Sequence, residues 1–289
     1  MEDEPMKNHT SFKVGGPAKL FIYVNNESSL TSILNFINKS GLPFFVFGKG
    51  SNLLVADEGY NGVVLNLCRS KKILELSSDD TVTCSAGLPL ASACVFAMQN
   101  NLSGLEFAWG IPGSCGGALY MNAGAYGEDI SCVIAKAYHI DQSGNIGILE
   151  KYAMELSYRK SFYSNKSLII SKIQFKLNPS SQEKIRFKMF ENIKKRKSKQ
   201  PLELPNAGSI FKRPGGGYYA GTLIQDCGLK GISVGGAMVS PKHAGFIVNT
   251  GNATANDVAA LIKKIKETVK KSSGIQLECE IETLGNIEL

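Results

Sequence analysis

Two glycine-rich runs are the first places where residue type and spacing suggest chemistry. The first, Gly48-Lys49-Gly50-Ser51-Asn52-Leu53-Leu54, follows the apolar run 43–47. Its closely spaced backbone N–H groups and two small polar side chains suit a phosphate or diphosphate, and suit a tight structural turn equally well. It is not a dinucleotide fingerprint, because Leu53 stands where the third glycine of G-x-G-x-x-G belongs. It also lacks the G-K-[ST] order of a P-loop. The second run, 110–127, has six glycines and no charged residue, which is not the composition of a surface linker. Such a stretch lets backbone approach something large and flat. Gly113, Gly116 and Gly117 are placed to pass a pyrophosphate, and Asn122, Gly124 and Ala125 a ring system. Two such runs in one chain favour a cofactor over packed turns.

Other constellations read more plainly. At 275–282, Ile275, Leu277, Cys279 and Ile281 alternate with Gln276, Glu278, Glu280 and Glu282. Period two predicts a half-buried strand with its carboxylates on one face, and spacing alone makes that face solvent-exposed. The segment 183–199 carries Lys184, Arg186, Lys188, Lys194, Lys195, Arg196, Lys197 and Lys199. It reads as a solvated helix face behind Ile185, Phe187, Phe190 and Ile193. With no aromatic interleaved for base stacking and no RNA-binding signature, a nucleic-acid patch is the weaker reading. Seven cysteines, at 68, 84, 94, 115, 132, 227 and 279, form no C-x-x-C, and the three histidines, at 9, 139 and 243, form no H-E-x-x-H. We therefore expect no metal and no disulfide framework, and a reducing compartment.

The elements that must position these residues follow from pattern. At 289 residues the chain has room for about two domains. Hydrophobic residues at 43% and charged residues at 20% exclude a mainly disordered chain, a collagen or a coiled coil. No apolar stretch is long enough to span a bilayer, and the polar N-terminus is not a signal peptide. The net charge of +7 suggests an anionic partner. Strands are predicted at 20–25, 43–47, 62–67, 71–77, 81–87, 135–141, 145–149 and 167–177, with helices at 28–39 and 90–100. The turn-rich 178–182 marks an expected domain boundary near 180. Thr254, with Asp257 as box partner, starts a helix whose apolar face is Val258, Leu261, Ile262, Ile265 and Val269, ending at Gly274.

Eight segments occur together in order: 8–18 (NHTSFKVGGPA), 48–54 (GKGSNLL), 110–127, 158–161 (YRKS), 207–214 (AGSIFKRP), 220–231 (AGTLIQDCGLKG), 234–249 (VGGAMVSPKHAGFIVN) and 277–285 (LECEIETLG). On these the chain resembles the UDP-N-acetylenolpyruvoylglucosamine reductase family over nearly its whole length. The resemblance implies an α+β protein: an FAD-binding fold of the vanillyl-alcohol-oxidase type over 1–180 (subdomains of about 1–65 and 66–180), then a substrate domain over 181–289. It implies non-covalent FAD, with Gly48, Gly50, Ser51 and Asn52 at the diphosphate and Gly113, Ser114, Gly117, Asn122 and Gly124 around the rest of the cofactor. NADPH is the implied co-substrate, and the implied reaction turns UDP-N-acetylglucosamine-enolpyruvate into UDP-N-acetylmuramate for peptidoglycan synthesis in the cytoplasm.

Residue by residue, Arg159 matches the group gripping the substrate carboxylate, Ser209 the proton donor to C2, and Glu280 the essential carboxylate. Tyr158, Lys212 and Gln225 match substrate-binding positions, with Lys230 and His243 as weaker candidates. The partner is a small UDP-sugar, with no nucleic acid and no membrane expected. Alternatives are another FAD oxidoreductase of the same fold, such as an oxidase, or a non-catalytic nucleotide-sugar or RNA-binding protein. Arg213 departs from the family's frequent Asn. The short span between Arg159 and Ser209 points to the branch without an inserted Tyr-bearing loop. The first motif lies so near the start that an N-terminal helix usual in the family is expected to be missing, the chain beginning at an internal start.

Overall fold

The protein is described from a computed structural model covering residues 1–78 and 80–289. It divides into two compact units: Phe21–Lys49 with Val63–Arg196, and Met1–Leu20 with Gly50–Gly62 and Lys197–Leu289. This grouping differs from a cut at 180. Phe12, Val14 and Leu54 belong to one apolar cluster with Ile210, Ile224, Leu261 and Ile265, so the early segments pack with the C-terminal residues. The basic helix stays with the other unit as far as Arg196.

The larger unit is built on an antiparallel five-stranded sheet in the order Ile146–Glu150, Ile134–Ile140, Ile169–Lys176, Thr81–Ser85 and Leu74–Ser78. Val82, Cys84, Ile173 and Phe175 face its core, against Ala93, Cys94 and Leu119. A parallel pair joins Phe44–Phe47 to Val63–Asn66. Helix α1 (Glu27–Ser40) starts one residue earlier than its pattern suggests. Asn26 is the cap, in a capping box with Ser29, and Gly41 ends the helix at φ 62°. Helix α2 is Leu90–Gln99. The second glycine run contains an unforeseen short helix, α3 (Cys115–Tyr120). A Cβ on Gly116 would lie 2.7 Å from that of Ala86, so glycine is what lets α3 lie against the sheet.

Helix α4 (Gln182–Lys199) forms as expected, but its packing face is different. Ile185, Met189 and Asn192 are buried, whereas Phe187 and Phe190 are exposed. The cause is a polar residue on the inner face. Asn192 Nδ2 donates to the Glu106 carbonyl at 3.1 Å, and the Asn192 carbonyl accepts from Tyr126 Oη at 2.7 Å. A satisfied Asn is cheap to bury, and hydrophobic periodicity cannot see it.

In the other unit, Glu2–Pro5 pairs antiparallel with the start of Pro17–Tyr23. Ser233–Val234, Ala237–Val239 and Ile247–Asn249 form a three-stranded antiparallel sheet. Helix α5 is Ala220–Asp226 and helix α6 is Ala255–Ser273. The capping box of Thr254 and Asp257 is present, and Gly274 adopts φ 73°. Asp57 adds a second cap, accepting from the N–H groups of Ala255 at 2.7 Å and Asn256 at 2.9 Å. Val258, Leu261, Ile262, Ile265 and Val269 are buried as expected, each worth about 1.5–3 kcal/mol of transfer free energy. The strand expected over 275–282 is corrected. Only a bridge from Cys279 to Phe211 forms there, followed by Glu282–Leu284, which pairs in parallel with Leu53–Val55. Among the described residues, no helix is long and apolar enough to cross a membrane.

Candidate active site

The larger unit sets Gly48, which opens the first glycine run, against the second run. Phe44–Phe47 ends at Gly48, whose carbonyl accepts from Asn66 Nδ2 at 2.8 Å. Gly48 then lies against Ser114: a Cβ there would overlap Ser114 Oγ and sit 2.8 Å from Ser114 Cβ. Ser114 caps α3, its Oγ accepting from the Gly117 N–H at 3.2 Å. A Cβ on Gly117 would meet only that hydroxyl, so the Gly117 backbone is otherwise bare. The loop is pinned from behind by Leu90 N–H to the Gly113 carbonyl (3.1 Å) and Cys115 N–H to the Leu88 carbonyl (2.8 Å). The exposed backbone at Gly117, with Gly48 packed on the other side of the Ser114 hydroxyl, fits a diphosphate. Asn66 was not foreseen; its signal is a buried amide closing an otherwise apolar strand.

Arg159 is presented in the same unit by a tight turn. Ser157 and Lys160 exchange backbone hydrogen bonds at 3.0 and 3.1 Å, and Arg159 between them adopts φ 55°. A left-handed arginine is uncommon and costs of order 1 kcal/mol, so the surroundings fix it. Buried Asn122 supplies one anchor, its Nδ2 donating to the Ser157 carbonyl at 2.9 Å and its Oδ1 accepting from the Ser131 N–H at 3.0 Å. Ser161 supplies another, donating to the Tyr120 carbonyl at 2.8 Å. The Arg159 guanidinium reaches the Gly124 carbonyl at 3.5 Å and lies 5.0 Å from the Tyr158 ring centroid. The Asn122 side chain is thus committed to holding the Arg159 turn. Gly124 also has a packing reason to be glycine, since a Cβ would lie 2.7 Å from Asp129 Cβ.

The other unit assembles Ser209, Lys212, Glu280 and Asn52. Segment 209–212 is laced to 278–280: the Glu280 N–H donates to the Ile210 carbonyl at 2.7 Å and the Lys212 N–H to the Glu278 carbonyl at 2.9 Å. Ser209 Oγ donates to the Phe211 carbonyl at 3.1 Å. On the far side, Asn52 Nδ2 donates to the Glu280 carbonyl at 3.0 Å, and the Glu282 N–H donates to the Asn52 carbonyl. Lys212 Nζ lies 3.6 Å from the exposed Glu278 carboxylate. His243 sits beside Ser209: a Cβ on Gly245 would be 3.2 Å from His243 Nδ1 and 3.6 Å from Ser209 Oγ. His243 Nδ1 accepts from the Gly245 N–H at 3.1 Å, so in the neutral ring the hydrogen is on Nε2. Burial, then Lys230 and Lys199, holds the ring's pKa below its ordinary value. Gln225 lies on α5 and Lys230 just beyond it, both exposed. Gly50 adopts φ 59°, with a Cβ position 2.5 Å from the His9 carbonyl, so its glycine is required by backbone packing whatever it binds.

Residues 18–146 match the family described as FAD binding domain, and residues 200–284 match UDP-N-acetylenolpyruvoylglucosamine reductase, C-terminal domain. The UDP-N-acetylenolpyruvoylglucosamine reductase of Caldanaerobacter subterraneus subsp. tengcongensis is 44% identical over 283 residues, 98% of this chain and 93% of the relative. The chain belongs to the UDP-N-acetylenolpyruvoylglucosamine reductase family. The reductase of Syntrophomonas wolfei subsp. wolfei is likewise 44% identical over 98% of this chain and 94% of its own length. The crystal structure of the Thermus caldophilus reductase matches with a TM-score of 0.84 at 33% identity, covering 97% of each chain. As a member of this reductase family the protein is an α+β, FAD-dependent oxidoreductase, and the exposed backbone at Gly117 beside the Ser114 hydroxyl is compatible with that cofactor.

Proposed function

We propose that the chain reduces UDP-N-acetylglucosamine-enolpyruvate to UDP-N-acetylmuramate, with NADPH as reductant, in the cytoplasmic synthesis of peptidoglycan precursors. FAD, when bound, relays a hydride from NADPH to C3 of the enolpyruvyl group. The chain's residues must then bind, orient and protonate. In this reading residues to about 180 serve the cofactor and the remainder the sugar nucleotide. Gly48, Gly50, Ser51, Asn52, Gly113, Ser114, Gly117 and Gly124 border the cofactor, and buried Asn122 serves by holding the Arg159 turn.

Arg159 grips the substrate carboxylate with its planar fork and stabilises the enolate-like charge that develops beside it. Ser209 delivers a proton to C2; a hydroxyl is a weak acid, so it must be held in line with a strongly basic carbon. Glu280 polarises the enolpyruvyl group, Lys212 meets the diphosphate, and Tyr158 and Gln225 line the substrate. The observation that carries the reading is the hydrogen-bonded lacing of 209–212 to 278–280, which holds the Ser209 and Glu280 backbones as neighbours although 70 residues part them in sequence. Seven free thiols, three of them buried, suit a reducing compartment.

The test is anaerobic. NADPH should bleach the yellow protein, and the enolpyruvyl sugar nucleotide should restore its colour. Restoration by oxygen alone would make the protein an oxidase instead.

A further inference from the structure

The outer face of α4 is unlike an ordinary solvated face. Ile185, Met189 and Asn192 point inward, so the opposite side carries Phe187, Phe190, Lys194 and Lys197, with Arg186 and Lys184 toward its edges. The carboxylates Glu183 and Glu191 share this side, and the four cations outnumber them. Phe187 is 70% exposed and Phe190 51%. Exposed phenyl rings on a helix this polar lose the contribution their burial would make. Lys188 is drawn aside to Glu128 at 3.1 Å, while among the described residues Lys184 and Lys194 form no ion pair. Trp109 meets Phe190 edge to face, with ring centroids 5.5 Å apart, which extends the patch with a third aromatic residue.

We propose that this face docks on an anionic phospholipid surface. Cations meet the headgroup charge while the phenyl rings enter the boundary between headgroups and acyl chains. Indole rings favour the same level. A single-stranded nucleic acid would need ring faces free for stacking. Phe190 offers little, since Arg186 lies 5.6 Å from its ring centroid and Trp109 abuts it, which leaves Phe187 as a single open ring where successive bases would need several. With two rings and a few cations, attachment is weak and reversible, the regime of a peripheral enzyme.

Trp109 is the chain's one tryptophan and sits at the patch, so its fluorescence reports the contact. The holoenzyme is floated with vesicles of phosphatidylcholine, alone or mixed with phosphatidylglycerol, and its emission is followed with spin-labelled quencher lipids. We expect recovery with the anionic vesicles only, and quenching of Trp109 there. Lys194→Gln and Arg186→Gln should each lower partition about fivefold, the worth of one cation near such a surface. Phe187→Ala should lower it about tenfold through lost ring burial, with turnover in solution unchanged. Equal recovery with neutral vesicles, or partition unaffected by Phe187→Ala, would overturn the proposal. So would binding to a single-stranded oligoribonucleotide, lost in Phe187→Ala, without vesicle binding; that result would assign the face to nucleic acid.

Discussion

Replacing Gly48 with Ala tests the convergence of the two glycine runs most directly. The added methyl would overlap Ser114 Oγ and lie 2.8 Å from Ser114 Cβ. Carbon atoms rest at about 3.5 Å or more, so the two loops must part by roughly 0.7 Å even after the hydroxyl rotates away. Overpacking of this kind costs about 1–3 kcal/mol. The opening falls on the backbone assigned to the diphosphate, so the cost should appear as FAD affinity weakened roughly 5- to 150-fold. The Asn66 bond to the Gly48 carbonyl is untouched by the change, but the clash exists without cofactor, so apo-protein stability should fall by the same order, about 1–3 kcal/mol. Flavin titration of the apo-protein measures the first quantity and thermal unfolding the second. A cycle with Ser114→Gly isolates the clash: the variant lacks both opposing atoms, and a glycine cap costs only a few tenths of a kcal/mol. Gly48→Ala should therefore be milder in the Ser114→Gly background than alone. Wild-type FAD affinity in Gly48→Ala, or no coupling between the two sites, refutes the cradle. Gly50 cannot serve the same purpose. Its positive φ and the His9 carbonyl at 2.5 Å mean that Gly50→Val strains the fold before it meets any cofactor.

Ser209→Ala should leave flavin reduction by NADPH near wild type and slow re-oxidation by the enolpyruvyl sugar nucleotide roughly 10²–10⁴-fold in stopped flow; an unchanged rate removes Ser209 as the donor. Arg159→Lys keeps the charge but loses the fork, so it should weaken the second half-reaction alone; equal damage to both halves would indicate a structural role. Asp57→Ala should lower thermal stability by the worth of a helix cap, about 1 kcal/mol, with both half-reactions intact, since its carboxylate meets two α6 N–H groups. His243 has a folded pKa below its unfolded value, so the unfolded chain takes up the proton first and stability must fall as pH drops below about 6.5. His243→Gln should show a smaller loss of melting temperature between about pH 7.5 and 5.5 than wild type, and an equal loss would exclude His243 as a source.

What was legible in the sequence is what rests on local periodicity or local caps. Helix α6 is the clear case: Thr254, Asp257, five apolar residues on one face and Gly274 fix its start, buried side and end. Helix α1 starts one residue earlier than its apolar pattern suggests because Asn26 caps it in a box with Ser29. Features set by distant partners were not legible. The inner face of α4 is decided by the carbonyl of Glu106 and the hydroxyl of Tyr126, far away in sequence, which let Asn192 be buried and turn Phe187 outward. The helix inside the second glycine run exists because Gly116 can press on Ala86, another tertiary condition.

The three C-terminal glutamates show the same limit inside the site. Alternation puts Glu278, Glu280 and Glu282 on one face and cannot rank them. The structure separates them by what holds each backbone. Glu278 is exposed and leans toward Lys212. Glu282 opens the parallel strand beside Leu53. Glu280 is clasped across two segments, its N–H by the Ile210 carbonyl and its carbonyl by Asn52 Nδ2. A carboxylate that must be aimed within a fraction of an ångström needs such support, because a side chain can be no better placed than the backbone that carries it. Asn52, read from sequence as a cofactor contact, is in the structure also a backbone anchor for Glu280, and in the proposed mechanism that makes it a positioning residue for the carboxylate.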